Sequence, residues 1–211
     1  MNVLLIKGTP KSAEASVSLQ MAQAYVETYQ ANHPVAEVAV LDLYADEVPL
    51  LDEDVFSGWG KLAAQQPLTA VESHKVQRLS NLVDQFLAVD TVVFALPMWN
   101  FGYPPMVKAY LDAIAVAGKT FRYTAEGPVG LAGNKQVVVC EARGGIYSSG
   151  PAQAMEHTSS YLTTFLSFIG ITDVQLILAE GLAMDATQLP ARRQEAVERA
   201  RQAATPQAVA A

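Results

Sequence analysis

Three segments of the chain bring together residue types that can hold a phosphate and a flat heterocycle. The first is Gly8-Thr9-Pro10-Lys11-Ser12-Ala13-Glu14-Ala15-Ser16-Val17-Ser18, which sets hydroxyls at Thr9, Ser12, Ser16 and Ser18 and a cation at Lys11 ahead of a helical pattern. Hydroxyls combined with the free amides of a helix N-terminus make an anion cradle. Ser16 or Ser18 equally suits a simple helix N-cap. Neither GxGxxG nor GxxxxGK(S/T) occurs in this loop, so the common dinucleotide and P-loop signatures are missing. The second segment is Pro97-Met98-Trp99-Asn100-Phe101-Gly102-Tyr103-Pro104-Pro105. Backbone stiffened by prolines can present amide and carbonyl groups to the edge of a ring, while Met98, Trp99 and Phe101 give apolar contact; the same aromatics also read as a plug for the core. The third is Glu141-Ala142-Arg143-Gly144-Gly145-Ile146-Tyr147. Its adjacent glycines allow close approach of backbone to a ligand, or form an ordinary turn.

Each of these segments follows a short apolar run, at 3–7, 91–96 and 136–141, and two further runs lie at 37–41 and 174–179. All are mostly apolar on both faces, as strands are when helices cover the sheet on either side. Helical patterns fall between and after them, at about 18–29, 69–88, 105–115, 151–168 and 189–203. The pattern at Pro104 is the clearest, with Val107, Tyr110, Leu111 and Ile114 on one face and prolines in the first turn, where missing amide protons cost nothing. Repeated strand–helix units predict an α/β fold: a doubly wound, five-stranded parallel sheet with helices on both faces. One domain is expected over 1–203, with a frayed tail over 204–211. In such sheets ligands bind beyond the carboxyl ends of the strands, where the three loops converge. The long connector from Leu41 to Thr69, with Ser57-Gly58-Trp59-Gly60 in it, reads as a functional or interfacial excursion or as a mobile surface loop. Trp59 points to an interface.

Composition narrows the function. Of 211 residues, 51% are hydrophobic and 17% charged, which excludes a disordered chain. Twenty-one acidic residues outnumber fourteen basic ones for a net charge of −7, which argues against a nucleic-acid partner and against an anionic membrane surface. No apolar run reaches the ~20 residues of a membrane span, and the opening apolar run is too short for a signal-peptide core. One cysteine, Cys140, allows neither an internal disulfide nor a Cys-based zinc site, and a reducing cytoplasm is the expected compartment. Cys140 lies in a strand run and reads as an inert core thiol. His33 reads as loop, and His157 as an exposed helix residue or a general acid.

The three loops, in this order, resemble those of the FMN-dependent NAD(P)H azoreductase and quinone reductase family, which has a flavodoxin-like fold. The family's Ser-Pro-Arg and Ser-x-Ser appear as Thr9-Pro10-Lys11 and Ser16-Val17-Ser18, its Pro-Met-Tyr-Asn-Phe as Pro97-Met98-Trp99-Asn100-Phe101, and its Ser-Arg-Gly-Gly as Ala142-Arg143-Gly144-Gly145. Further similar stretches are Gly118-Lys119-Thr120-Phe121-Arg122-Tyr123, Gly127-Pro128-Val129-Gly130-Leu131, the run from Phe165 to Ile171, and Ala179-Glu180-Gly181. The departures are Thr9, Trp99 and Ala142, together with a first loop one residue longer.

The resemblance implies an enzyme that binds FMN, takes a hydride from NADH or NADPH at flavin N5, and passes electrons to a quinone or azo compound in a ping-pong cycle. It implies that Thr9, Ser16 and Ser18 hold the phosphate beside Lys11 and Val17. Pro97, Met98, Trp99, Asn100 and Phe101 would line the flavin, with Asn100 bonding its edge. Ala142, Arg143, Gly144 and Gly145 would lie at its N1/O2 end. It also implies a homodimer with the active site at the interface, where Phe121, Tyr123 and Trp59 line the acceptor pocket. The rival classes are a non-enzymatic flavodoxin-like electron carrier or redox sensor, and a cofactor-free interaction domain.

Overall fold

The computed structural model describes residues 2–205. Five parallel strands, β1 (Val3–Lys7), β2 (Val38–Asp42), β3 (Thr91–Pro97), β6 (Gln136–Ala142) and β7 (Asp173–Ala179), form one sheet in the order β2-β1-β3-β6-β7. Between β3 and β6 lies a separate antiparallel hairpin, β4 (Phe121–Thr124) and β5 (Gly127–Gly130). The helices are α1 (Val17–Asn32), α2 (Glu53–Ala63), α3 (Ala70–Leu87), α4 (Pro105–Ile114), α5 (Ser159–Phe168) and α6 (Leu189–Ala203). The doubly wound sheet expected from the sequence is therefore present, each predicted strand lying within a residue or two of its observed limits.

Two cores sit on the two faces, and the period of two along the central strands sorts side chains between them. Leu4 and Ile6, Val92, Phe94 and Leu96, and Val137 and Val139 point to the α3/α4/α5 side, where they meet Leu82, Phe86, Tyr110, Leu111 and Leu166. Val3 and Leu5, Val93 and Ala95, and Val138 and Cys140 point to the α1/α6 side, against Met21, Tyr25, Ala196 and Ala200. Each fully buried aliphatic side chain contributes about 1.5–3 kcal/mol. Cys140 is wholly buried and burial pushes its thiol pKa up, which bears out its reading as an inert core residue.

Three segments differ from the sequence reading. The connector after β2 is not simply loop, because it contains α2. Asp52 caps that helix by accepting from the Val55 amide at 3.2 Å, with Glu53 and Asp54 in the first turn and Lys61 in the last, charges that suit the helix dipole. Gly58 and Gly60 hide the helix from a propensity reading. Gly58 has a packing reason: a Cβ there would lie 2.9 Å from Val76 Cγ2 on α3. The stretch 151–168 is not one helix but a short 3-10 turn, Pro151–Met155, followed by α5. The break is fixed by Glu156, whose carboxylate accepts from the Thr158 and Ser159 amides at 2.8 and 2.7 Å and so caps α5. His157 consequently lies outside any helix, exposed, with its amide bonded to the Phe101 carbonyl at 3.2 Å. The hairpin β4–β5 has no counterpart among the five expected strands. It presses on the end of α5 through two glycine backbones, a Cβ on Gly130 falling 2.1 Å from the Gly170 nitrogen. Ala204 and Thr205 continue the turn after α6, and the rest of the expected tail lies outside the described residues.

Glu72 clamps α2 to α3. Its carboxylate accepts from Lys61 Nζ at 2.6 Å, Ser57 Oγ at 2.6 Å and the Thr69 amide at 2.7 Å, the last completing a capping box. The Lys61 ammonium first, then the Ser57 hydroxyl and Thr69 amide, lower its pKa from 4.5 to about 2. A carboxyl depressed in the folded state stabilises above its unfolded pKa and loses that contribution as pH falls through the folded value. Glu72→Gln is therefore expected to lower the urea midpoint at pH 7, with the gap from wild type narrowing steadily below about pH 4.5. A gap that stays constant down to pH 3 would contradict this assignment.

Candidate active site

The carboxyl ends of β1, β3, β6 and β7 open into one cavity of about 370 Å³. At the end of β1 the chain turns at Gly8, where a Cβ would lie 2.5 Å from Leu96 Cδ2, so only glycine lets the loop start this close to α4 and β3. Ser16 then caps α1, its hydroxyl accepting from the Leu19 amide at 3.4 Å and lying 3.1 Å from Ser18 Oγ. Gln20 pins the loop from below by donating to the carbonyls of Ala13 and Glu14 at 2.8 and 3.1 Å. No acidic residue occupies the first turn of α1, so the positive end of its dipole faces the cavity uncancelled.

The loop after β3 is a tight turn. Trp99 and Gly102 exchange two backbone hydrogen bonds, at 2.8 and 3.0 Å, around Asn100 and Phe101, whose φ values are 48° and 70°. Positive φ at both central positions is the pattern of a type I′ turn, and non-glycine residues held there cost of order 1–3 kcal/mol each. The surrounding structure holds the turn in place. The Met98 amide bonds the Ala142 carbonyl at 3.0 Å, Phe101 meets Tyr147 edge to face at 6.2 Å, and Trp99 lies 6.3 Å from Tyr44.

The loop after β6 is organised by Arg143, whose side chain is 1% exposed. Its guanidinium donates to Glu141 Oε1 at 2.6 Å, Glu180 Oε1 at 3.1 Å and Glu156 Oε1 at 3.0 Å, and to the hydroxyls of Thr158 and Ser159 at 3.1 and 2.5 Å. Burial opposes the charge on Arg143, but Glu141, Glu180 and Glu156 overcome this and hold its pKa above the ordinary value. Tyr103 extends the network, donating to Glu141 Oε2 at 2.9 Å, and burial first, then Glu141, push its phenol pKa up. Glu180 in turn accepts from the Tyr147 and Ser148 amides at 2.8 and 3.0 Å, tying the loop after β7 to the loop after β6.

The cavity gathers Thr9, Lys11, Ser16, Val17 and Ser18 from the first loop, Pro97, Met98 and Trp99 from the second, and Ala142, Arg143 and Gly144 from the third. Asn100, Phe101 and Gly145 lie next to these in chain but do not line it. Phe121, Tyr123 and Trp59 are not brought to it within one chain. Phe121 is buried against Phe168 at 4.6 Å, Tyr123 is 73% exposed on the hairpin, and Trp59 stands half-exposed on α2 against Phe56. Sequence reasoning missed Leu182, Ala183, Leu189 and Arg193, which complete the wall from the β7–α6 side. The signal was available in the Glu180-Gly181 pair that ends the fifth strand run. In a chain with seven excess acids, no Asp or Glu lines this cavity, whereas Lys11, Arg143 and Arg193 do. With Arg143 consumed by carboxylates, the lining combines hydroxyls and two further cations, Lys11 and Arg193, with the apolar side chains of Pro97, Met98, Trp99 and Leu182. Such a cavity suits a planar ligand bearing a phosphate.

The fold and this cavity define an open α/β nucleotide-cofactor protein, and comparison with known proteins gives the family. A flavodoxin-like-fold family model matches residues 1–204. The FMN-dependent NADH:quinone oxidoreductase of Staphylococcus carnosus is 49% identical over 179 residues, covering 85% of this chain and 86% of that one. FMN-dependent NADH:quinone oxidoreductase 3 of Halalkalibacterium halodurans is 45% identical over 205 residues, covering 96% and 97%. An FMN-dependent NADH-azoreductase from Bacillus anthracis, solved in complex with FMN, superposes with a TM-score of 0.88 at 34% identity, covering 97% of this chain and 99% of that one. The chain belongs to this family of FMN-dependent quinone oxidoreductases and azoreductases, an oxidoreductase family on the flavodoxin-like fold.

Removing one partner from a buried ionic cluster leaves the others uncompensated, at about 3–5 kcal/mol. Arg143→Met is expected to destabilise the protein by roughly that amount in urea unfolding, with Arg143→Lys intermediate because an ammonium lacks the planar fork. A loss below about 1 kcal/mol for the methionine variant would show that the cluster does not hold the loops.

Proposed function

We propose that this protein is an NADH-dependent reductase of quinones and azo compounds, carrying FMN in the cavity above β1, β3, β6 and β7. The observation that carries the reading is a lining that combines hydroxyls and cations with apolar side chains, in an acidic chain that places no carboxylate on this wall. When bound, FMN would supply two-electron transfer from a nicotinamide donor, through N5, to the acceptor, in a ping-pong cycle.

The chain's own residues bind and orient. The hydroxyls of Thr9, Ser16 and Ser18, with the first amides of α1, receive the phosphate, and Lys11 adds charge. Met98 and Trp99 give the ring an apolar wall, and the strained turn at Asn100 keeps backbone polar groups at its edge. Gly144, with no side chain and only Ala183 Cβ near its own missing one at 3.4 Å, leaves backbone free to approach the N1/O2 end. Fixed dipoles there stabilise negative charge in a partly dry site. Ala142 supplies no hydroxyl, so polar contact at that end comes from backbone.

The acceptor side is built across a homodimer. Phe56, Trp59 and Leu62 on α2, and Tyr123 on the hairpin, form exposed apolar surface of the kind that marks an interface. A second copy covering it brings Trp59 and Tyr123 over the open face of the cavity, with Phe121 packed behind Tyr123 at 5.4 Å. Among the described residues no helix is long and apolar enough to cross a membrane. The reading takes the protein as cytoplasmic, with neither nucleic acid nor membrane as partner.

The purified protein is expected to be yellow or to become so with added FMN, to oxidise NADH promptly at 340 nm when benzoquinone is added, and to run at twice the monomer mass. Flavin bound without NADH consumption would leave an electron carrier instead, and a chain that takes up no flavin would remove the proposal. Trp59→Ala is expected to raise the quinone KM several-fold while FMN affinity stays within about twofold. Equal kinetics in that variant would detach α2 from the acceptor site.

A further inference from the structure

We infer that Arg193, on α6, closes the phosphate end of the cavity and makes the site select a phosphorylated flavin. This rests on the FMN reading above and adds a residue from an element that neither the three sequence loops nor their motifs include. Arg193 lines the same cavity as Thr9, Lys11, Ser16 and Ser18. Its Nε is buried and has no hydrogen-bond partner. Arg192 Nε shares that state, but the terminal nitrogens of its neighbours on the helix are engaged, whereas among the described residues no bond is made by those of Arg193. Arg192 donates to the Glu180 carbonyl at 3.3 Å and to Gln188 Oε1 at 2.9 Å, Arg199 to the Leu178 carbonyl at 2.6 Å, and Arg201 to Glu198 at 3.4 Å. Among the described residues Arg193 has no ion pair, in a chain with twenty-one carboxylates to choose from.

A buried polar group without a partner is costly to keep, so an arginine left in this state beside hydroxyls fits a partner that arrives with the ligand. Lys11 likewise makes no ion pair among the described residues, and the two cations together match the charge of about −1.5 to −2 on a phosphomonoester near pH 7. The guanidinium fork fits phosphate oxygens in pairs, which an ammonium does not. The residue is also held firmly in place. Ala196 and Ala200, one and two turns on, are fully buried against α1 in the second core, so α6 cannot drift from the loop that precedes α1. Leu189, one turn earlier, shares the cavity wall.

The test titrates the full chain, freed of flavin, with FMN and separately with riboflavin, following quenching of flavin fluorescence. Arg193→Gln is expected to raise the FMN Kd by about ten- to a hundred-fold, the range of one charge-assisted contact, while the riboflavin Kd changes by less than about twofold. Arg193→Lys is expected to recover part of the FMN affinity. Far-UV circular dichroism and Tm of the flavin-free variant should match wild type, because no bond within the chain is removed. An unchanged FMN Kd in Arg193→Gln overturns the inference, as does an equal loss for FMN and riboflavin, which would mark a packing effect. Wild-type protein that binds neither flavin overturns the FMN reading and this inference with it, a result distinct from both.

Discussion

The buried cluster around Arg143 is the constraint on which the functional end of the molecule depends. One guanidinium, 1% exposed, faces carboxylates from the end of β6, the end of β7 and the turn before α5. Burial opposes the guanidinium's charge and the carboxylates offset that cost, while Glu156 and Glu180 are also held by the amides and hydroxyls around them. Because Glu141 belongs to β6, Glu156 to the far end of the β6–α5 connection and Glu180 to the β7–α6 connection, satisfying one cation fixes two loops against the end of a strand. The Arg143 backbone, meanwhile, is bonded to Ala179 and Leu182 at 2.8 and 3.2 Å, which ties the cavity wall to the end of β7. A side chain that the motif suggested as a cofactor contact therefore acts by holding the cavity's wall in shape.

That arrangement explains how a site can sit on loops and still be rigid. Gly8 lets the first loop leave β1 in contact with Leu96 and Val107, and the Met98 amide is bonded to the strand next door. The turn at Asn100 and Phe101 is costly locally, and it persists because Tyr147, the His157 amide and the Ala142 carbonyl hold it from three sides. Flavin chemistry demands little proton traffic from side chains, and the cavity accordingly shows no paired nucleophile and base. What it offers is shape, positive charge and apolar wall.

The electrostatic division runs against the composition of the chain. Acidic residues dominate the surface, and several are spent on structural work far from the cavity. Glu72 joins α2 to α3, and Asp52 caps α2 while meeting Lys75 at 2.6 Å. Keeping carboxylates off the cavity wall while using them elsewhere leaves Lys11 and Arg193 as a local positive field in an otherwise negative molecule. A field of that kind raises the local concentration of an anionic ligand.

The sequence by itself determined the sheet, its two-sided core and the loops that line the site. Val3–Ile6, Val92–Leu96 and Val137–Cys140 are apolar on both faces, as strands between two helix layers are. The motif residues Thr9, Ser16, Ser18, Met98 and Trp99 stand next to those strand ends by chain connectivity alone. The tertiary structure decided what connectivity cannot. The α2 helix is obscured because Gly58 and Gly60 weaken its propensity, while the reason for Gly58 is contact with Glu72 and Val76 on α3, fourteen and eighteen residues away in the chain. The break at Glu156 was obscured because the cap it forms depends on a carboxylate that also answers Arg143. Leu182, Leu189 and Arg193 reach the cavity only because β7 pairs with β6 and α6 lies on α1, pairings between segments far apart in sequence. Local patterns report what a residue prefers, whereas partners for a buried charge or an unpaired arginine are chosen by the packing of distant elements.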